Sequence, residues 1–449
     1  MKKIVKYSLL LVVLATIYVV YTNYPRLNII SGYSAKNMSS SVFLAKRSLE
    51  LTDAKDNNFS PIDIAKDEVD FEDKSASASV YGFMKRKAIY KEGIGSILVD
   101  VDFDENHEFL VPNRTKSSSN LPYPYGNSKP KDTIFSTINY SDLEKAVSNS
   151  FDVNEEYVKK TRAVVVLYKG QLIAEKYAEG FDKNAKILGW SMTKSITSSV
   201  VGILEKQGKI SVQQTNLFTE WENDERSKIS LNDLLHMNSG LEWNEDYNTM
   251  SDVTKMLFLA KDMTKTQLQK PLIGEPNNSW NYSSGTSNLV SGFIRNQFKT
   301  HQEYLDFWYS ELIDKIGMSS MVIETDLSGN YVGSSYGWAT PRDWAKFGLL
   351  YLNKGNWNGE QILNESWVQY TATPTNSSNG EYGAHFWLNA GGVYPNVPKD
   401  LFSCNGYQGQ HVFIIPSRDL VIVRMGLNEN SDFNFDAFLS EVLASIKNE

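Results

Sequence analysis

Trp190-Ser191-Met192-Thr193-Lys194 stands where a loop gives way to helical patterning, which runs on to Gln207 and stops at Gly208. Glycine is a natural helix stop, because it enters the left-handed backbone region without a steric penalty. Residues three apart share a helix face, so the Ser191 hydroxyl and the Lys194 amine can meet. A serine hydroxyl is a weak nucleophile until a base takes its proton. A lysine can be that base where its surroundings disfavour the ammonium form. The start of the helix adds unsatisfied N–H groups and a positive dipole end, both suited to a developing oxyanion. The Ser-x-x-Lys spacing is weak by itself, arising by chance about once or twice in a chain of this length. Ser128-Lys129-Pro130-Lys131 matches it too. There Pro130 disfavours helix at Lys129, so context separates the two. Standing alone, Ser191 and Lys194 would read as a helix cap and a surface lysine.

Working outward, residues 163–168 form a β-branched apolar run, Lys169-Gly170 a turn, and residues 171–177 a return strand. That is a β-hairpin pattern. Residues 411–415 and 420–425 make another around a Pro416–Asp419 turn, and a final helix is expected over 433–446. Helical patterns fill about 215–330 between these strands. The expectation is an α+β fold: an antiparallel sheet flanked by helices, with a mostly helical domain inserted and a site between them.

Two further stretches accompany the Ser-x-x-Lys. Trp280-Asn281-Tyr282-Ser283-Ser284-Gly285 follows a proline-containing loop and precedes an apolar run at 289–294. A tyrosine on such a loop can present its phenol to the site, and near a lysine it is a plausible proton shuttle. Alone it would be a tyrosine packed under its loop. Gly406-Tyr407-Gln408-Gly409-Gln410 leads into the strand at His411. Glycine there permits close backbone approach to a substrate, and an adjacent strand can donate an N–H to a carbonyl oxygen.

Ser-x-x-Lys, Tyr-x-Ser and a glycine-anchored strand, in that order, resemble the serine β-lactamase and penicillin-binding protein superfamily. The flanking phrases Leu234-Leu235-His236-Met237-Asn238-Ser239-Gly240-Leu241-Glu242-Trp243 and Ala339-Thr340-Pro341-Arg342-Asp343-Trp344-Ala345-Lys346-Phe347-Gly348 look more closely like class C-like esterases and 6-aminohexanoate-dimer hydrolases. The resemblance covers residues 135–449. It implies that Ser191 attacks a carbonyl, Lys194 accepts its proton, Tyr282 relays protons and Ser284 bonds Lys194. It also implies an oxyanion hole from the backbone N–H groups of Ser191 and Gln410, with Gly409 in support and Tyr407 and Gln408 toward the substrate. Two departures stand out: Tyr-x-Ser replaces the Tyr-x-Asn of many relatives, and Tyr407-Gln408-Gly409 stands in place of Lys-Thr-Gly or His-x-Gly. A missing lysine removes a cation for a penicillin or peptide carboxylate. The implied activity is therefore an acyl-enzyme hydrolase of ester, linear amide or peptide substrates, without a cofactor. The other reading is a non-catalytic, membrane-anchored receptor for cell-wall fragments or β-lactams on the same scaffold.

The chain has 449 residues, 41% hydrophobic and 22% charged, which is globular rather than disordered composition. A net charge of −8 without a basic patch argues against nucleic acid as partner. The lone Cys404 excludes an internal disulfide framework, and the five histidines lack metal-binding spacing. His236 falls on an apolar helical face, where a histidine is usually a core residue.

Lys2, Lys3 and Lys6 precede an uncharged run at 7–22, with Tyr18, Tyr21 and Tyr24 placed to sit at an interface. That predicts residues 1–23 as an uncleaved membrane anchor, with the rest exported to the periplasm or exterior. A signal peptide, cleaved to leave a secreted or periplasmic protein, is the alternative, although no good Ala-x-Ala site follows. Residues 24–134 read as a leading segment and connector. The segment holds a helical start at 35–48 and alternation over 95–101, and 104–135 has loop chemistry throughout. Residues 135–449 read as the hydrolase-like domain.

Overall fold

Helix α1 (Lys2–Ser39) runs without a break through Pro25, and a π-helical turn carries it on to Leu44. The computed structural model describes residues 2–100, 103–104, 106–115, 119–153, 159–428 and 433–447. The sequence suggested two helical pieces here, an apolar run at 7–22 and a start at 35–48; one helix takes in the first and joins it to the second, which stops at Leu44, short of Ser48. Pro25 deletes a single backbone hydrogen bond, and packing of the later turns holds the helix beyond it. The most apolar 18-residue window has mean hydropathy 2.1, and none of it is buried.

The chain divides into two compact units, the first made of Met1–Lys91, Ser96–His107 and Glu245–Lys261. Its four-stranded antiparallel sheet has the order β1 (Ala65–Asp70), β2 (Ser75–Val80), β3 (Phe83–Lys91), β4 (Gly95–Val99). The alternation read over 95–101 is this last strand; Val101 lies outside the described residues. β2 reads Ser-Ala-Ser-Ala-Ser-Val, a two-residue period that puts Ala76, Ala78 and Val80 on the buried face. Ala35 packs with Ala78 and Ala88, and Met38, Val42 and Phe43 pack with Ala76. Small side chains on both surfaces let helix and sheet lie close together.

The second unit comprises Glu92–Gly95, Glu108–Asn244 and Asp262–Glu449. It is an α+β fold around a six-stranded antiparallel sheet. In chain order its main elements are α2 (Tyr140–Asn149), β5 (Thr161–Tyr168), β6 (Gln171–Tyr177), α3 (Thr193–Lys206), α4 (Ser284–Arg295) and α5 (Pro341–Leu352), then β7 (Trp387–Leu388), β8 (Phe402–Gly406), β9 (Gln410–Ile415), β10 (Leu420–Gly426) and α6 (Phe435–Ala444). The strand order is β7-β8-β9-β10-β5-β6. Every residue of β5 is buried because helices cover both faces. Ala163, Val165 and Leu167 meet the core that holds α3 and α5, while Val164, Val166 and Tyr168 meet the core under α2 and α6. Short helices, with α4 central among them, occupy the region between α3 and β7. Residues from Glu108 onward belong to this unit despite their loop chemistry. Arg114 holds them there: it pairs with Asp314 at 2.5 Å, donates to the Met321 carbonyl at 2.6 Å and lies over the Tyr309 ring.

Candidate active site

The short strand Ile187–Leu188 pairs with Gly337–Ala339, and the chain then turns into α3 through a single 3-10 turn, Trp190–Met192. Trp190 has φ +47°, a left-handed conformation that is costly for a bulky side chain. Several contacts hold it. Thr193 Oγ1 donates to the Trp190 carbonyl at 2.7 Å and accepts from Gly337 N–H at 2.9 Å. The indole lies edge-on to Tyr407 and near Tyr336. This strained corner presents Ser191 half-exposed at the start of the helix.

Lys194 lies one turn on and is 2% exposed. Its Nζ donates to Ser191 Oγ at 2.9 Å, to Ser284 Oγ at 3.0 Å and to the Ser334 carbonyl at 3.0 Å. Three oxygens fix the direction of the amine. The Ser334 peptide is fixed in turn, since Asn288 Oδ1 accepts its N–H at 3.1 Å. Ser284 and Asn288 are four apart on α4 and so share a face. Ser283 caps that helix by accepting from Thr286 N–H, which leaves Tyr282 on the loop before it. The Lys194 amine lies 4.9 Å from the centroid of the Tyr282 ring. Tyr282 packs against Trp387 and Tyr382, and Trp280 completes this aromatic wall. Thus Ser191, Lys194, Tyr282 and Ser284, distant in sequence, come together.

The glycine-anchored strand falls in a different frame from the one read in the sequence. Tyr407, Gln408 and Gly409 form the loop of the β8–β9 hairpin, closed by the pair Gly406–Gln410. Gln410 opens β9, a strand flanked by β8 and β10, where it pairs with Gly406. Its side chain is turned into the hairpin, accepting from Gly426 N–H and donating to the Gly426 carbonyl. Gly409 closes over Arg424, which donates to its carbonyl at 2.8 Å, and Gln408 is buried. The strand beside Ser191 is β8. A Cβ on Gly406 would lie 2.1 Å from the Gly189 carbonyl oxygen. β7 pairs with β8 only at Phe402 and Ser403, so among the described residues no strand covers the far edge of 404–407. The stretch that lies against the Ser191 corner is Cys404-Asn405-Gly406, with Tyr407 following. The two glycines sit three apart in one hairpin, and only the register decides which meets the loop that carries Ser191.

That contact gives a prediction. Gly406→Ala forces β8 away from Gly189, and a misplacement of about 1 Å at a catalytic group can cost roughly 100-fold in rate. Ester hydrolysis is expected to fall on that scale, and because the clash is with backbone the melting temperature should fall too, so rates are compared at a temperature where both proteins are folded. Rates within a few-fold of wild type would show that β8 does not set the site.

His385 has no sequence motif around it. Its Nδ1 meets the Lys194 carbonyl at 3.1 Å and its Nε2 the Ser287 hydroxyl at 3.3 Å. A carbonyl only accepts, so Nδ1 carries the proton, and a neutral ring ties α3 to α4. Burial pushes its pKa down to about 3. Burial also lowers His411 and His236; the latter is a core residue held by the Asn232 carbonyl and Tyr370. Unfolding frees these rings to take protons at an ordinary histidine pKa near 6.5. The unfolded chain then binds more protons below that pH, so stability is full above about 6.5 and declines as pH falls toward 3. Melting temperature is expected to drop steadily from pH 7 to pH 4, and less steeply in His385→Gln. A flat profile would mean these rings are not buried neutral.

The fold and this site define a chain of the serine-hydrolase type. It belongs to the beta-lactamase family, whose model matches residues 153–438. A 6-aminohexanoate-dimer hydrolase of Paenarthrobacter ureafaciens is 24% identical over 290 residues, spanning 59% of this chain and 72% of its own. Among solved structures, a family VIII carboxylesterase superposes with TM-score 0.57 at 13% identity, over 71% of this chain and 100% of its own. A Bacillus anthracis protein provisionally designated a 6-aminohexanoate-dimer hydrolase gives 0.56 at 23% identity, over 67% and 80%. At these identities the structural likenesses speak to the fold.

Proposed function

We propose that this protein is a membrane-anchored serine hydrolase that cleaves esters or linear amides through an acyl-enzyme on Ser191. The observation that carries the reading is the Lys194 amine, 2.9 Å from Ser191 Oγ and 3.0 Å from Ser284 Oγ beneath the Tyr282 ring. With Lys194 as a neutral amine that keeps donating to Ser284 Oγ and the Ser334 carbonyl and turns its lone pair to Ser191, Ser191 Oγ bonds to the substrate carbonyl carbon while its proton passes to Lys194. The carbonyl oxygen takes the negative charge and is stabilised by the N–H groups of Ser191 and, in the β8 frame, Tyr407 rather than Gln410. Collapse expels the alcohol or amine, protonated through Tyr282. Water, deprotonated along the same route, then releases the acid. Ser284 keeps Lys194 aimed at the reacting oxygen. The apolar, exposed first half of α1 anchors the protein in a membrane, with both units outside the cytoplasm.

The substrate class follows from charge. The position of the absent lysine in the third element is held by Cys404, which is buried, its thiol pushed up to about 12 and so neutral. Arg424 gives no substitute cation: its guanidinium donates to Gly409, Thr161 and Lys159 and stacks on Phe433. A charge-assisted hydrogen bond to a substrate carboxylate is worth about 1.5–3 kcal/mol, so its loss costs roughly 10–150-fold. Against a panel of short-chain p-nitrophenyl esters, linear amides, D-amino-acid peptides and nitrocefin, kcat/KM is expected to be highest for esters or linear amides. Nitrocefin turnover exceeding that of simple esters would overturn this, as would binding of the whole panel without turnover.

A further inference from the structure

Within the first unit, the elements register along α1 in strict order. Phe43 lies against Phe71 and Tyr90, Ala35 against Ala78 and Ala88, Ser31 donates to the Met84 carbonyl at 2.6 Å, and Tyr24 meets Phe83 with ring centroids 6.4 Å apart. β2 and β3 therefore lie along the helix, and their connecting turn reaches the level of Tyr24. Residues 7–25 carry no charge and span about 28 Å of helix, close to the ~30 Å hydrocarbon thickness of a bilayer. Tyr21 and Tyr24 then fall at its outer boundary, just before Arg26.

The turn itself is unusual. Val80 pairs with Phe83, so Tyr81-Gly82 is a two-residue connection, and both residues have positive φ, +52° and +78°. Such turns favour asparagine, aspartate or glycine at each position. Here the first position holds a tyrosine that is 75% exposed, next to a phenylalanine that is 58% exposed. Aromatic rings with a polar edge are the side chains that collect at membrane–water interfaces.

We propose that the Tyr81-Gly82-Phe83 tip is a second membrane contact, seated in the interfacial layer of the outer leaflet beside the exit of α1. The occupant is the lipid itself, because the tip is continuous through Tyr24 with the apolar surface of the helix. A unit held at two points cannot swivel freely about its anchor. The inference rests on the reading of α1 as a membrane span.

The test uses the full-length chain with Tyr81→Cys, Phe83→Cys or Phe71→Cys, labelled with the polarity-sensitive fluorophore NBD and reconstituted in phosphatidylcholine vesicles. Native Cys404 is buried, so the unsubstituted protein supplies the labelling blank. Phe71 is also exposed, at 68%, but it packs on Phe43, about 28 Å further along the helix than Tyr24. Circular dichroism checks that each variant is folded, and flotation isolates vesicle-bound protein. Labels at 81 and 83 are expected to be blue-shifted and to lose emission when lipids bearing nitroxide on the acyl chain are included, while the label at 71 is unaffected. Bound protein in which 81 and 83 resist quenching as fully as 71 overturns the proposal and leaves the span reading intact. Protein that fails to float removes the span reading, and the proposal with it.

Discussion

Replacing Ser191 by alanine is expected to abolish ester hydrolysis, with a loss on the order of 10⁶-fold, the scale seen when a serine hydrolase loses its nucleophile. The hydroxyl is half-exposed and accepts a hydrogen bond from a buried lysine. Ser284 bonds the same amine but is wholly buried as the first residue of α4, so it cannot take over the attack. The substitution removes one partly exposed hydroxyl, and the melting temperature should barely move. Steady-state hydrolysis by purified wild type and variant checks it. Retention of even a hundredth of the wild-type rate would place the nucleophile elsewhere.

Lys194→Met is expected to slow acylation by roughly 10²–10⁴-fold, the usual worth of a positioned base. Methionine keeps the buried stem and removes the amine. The Ser334 carbonyl then loses a donor, and an unsatisfied buried group costs about 1–3 kcal/mol. A lowered melting temperature should therefore accompany the lost activity. Single-turnover acylation at a temperature where both proteins are folded separates the two effects. A variant that acylates at near wild-type rates would remove Lys194 from the mechanism.

Much of this was legible in the sequence, for reasons particular residues make plain. The Ser191–Lys194 pair needs only local helix geometry, and the two hairpins of the sheet announce themselves as apolar runs broken by short turns. Tyr282 and Ser284 were reached through the motif context. What stayed hidden depends on register and distance. Gly406 and Gly409 look equivalent until the strand order puts β8 against Gly189. The Ser334 carbonyl and the His385 ring act through backbone positions far along the chain, which no local pattern marks. The continuity of α1 through Pro25 was hidden because proline is ordinarily read as a break.

Ser191 is expected to become acylated during turnover. The most direct test is intact-mass analysis after treatment with a fluorophosphonate, followed by peptide mapping of the adduct. One adduct per chain is expected, located on Ser191, and none in Ser191→Ala. An adduct on Ser284 or Ser128, or continued labelling of the alanine variant, would contradict it.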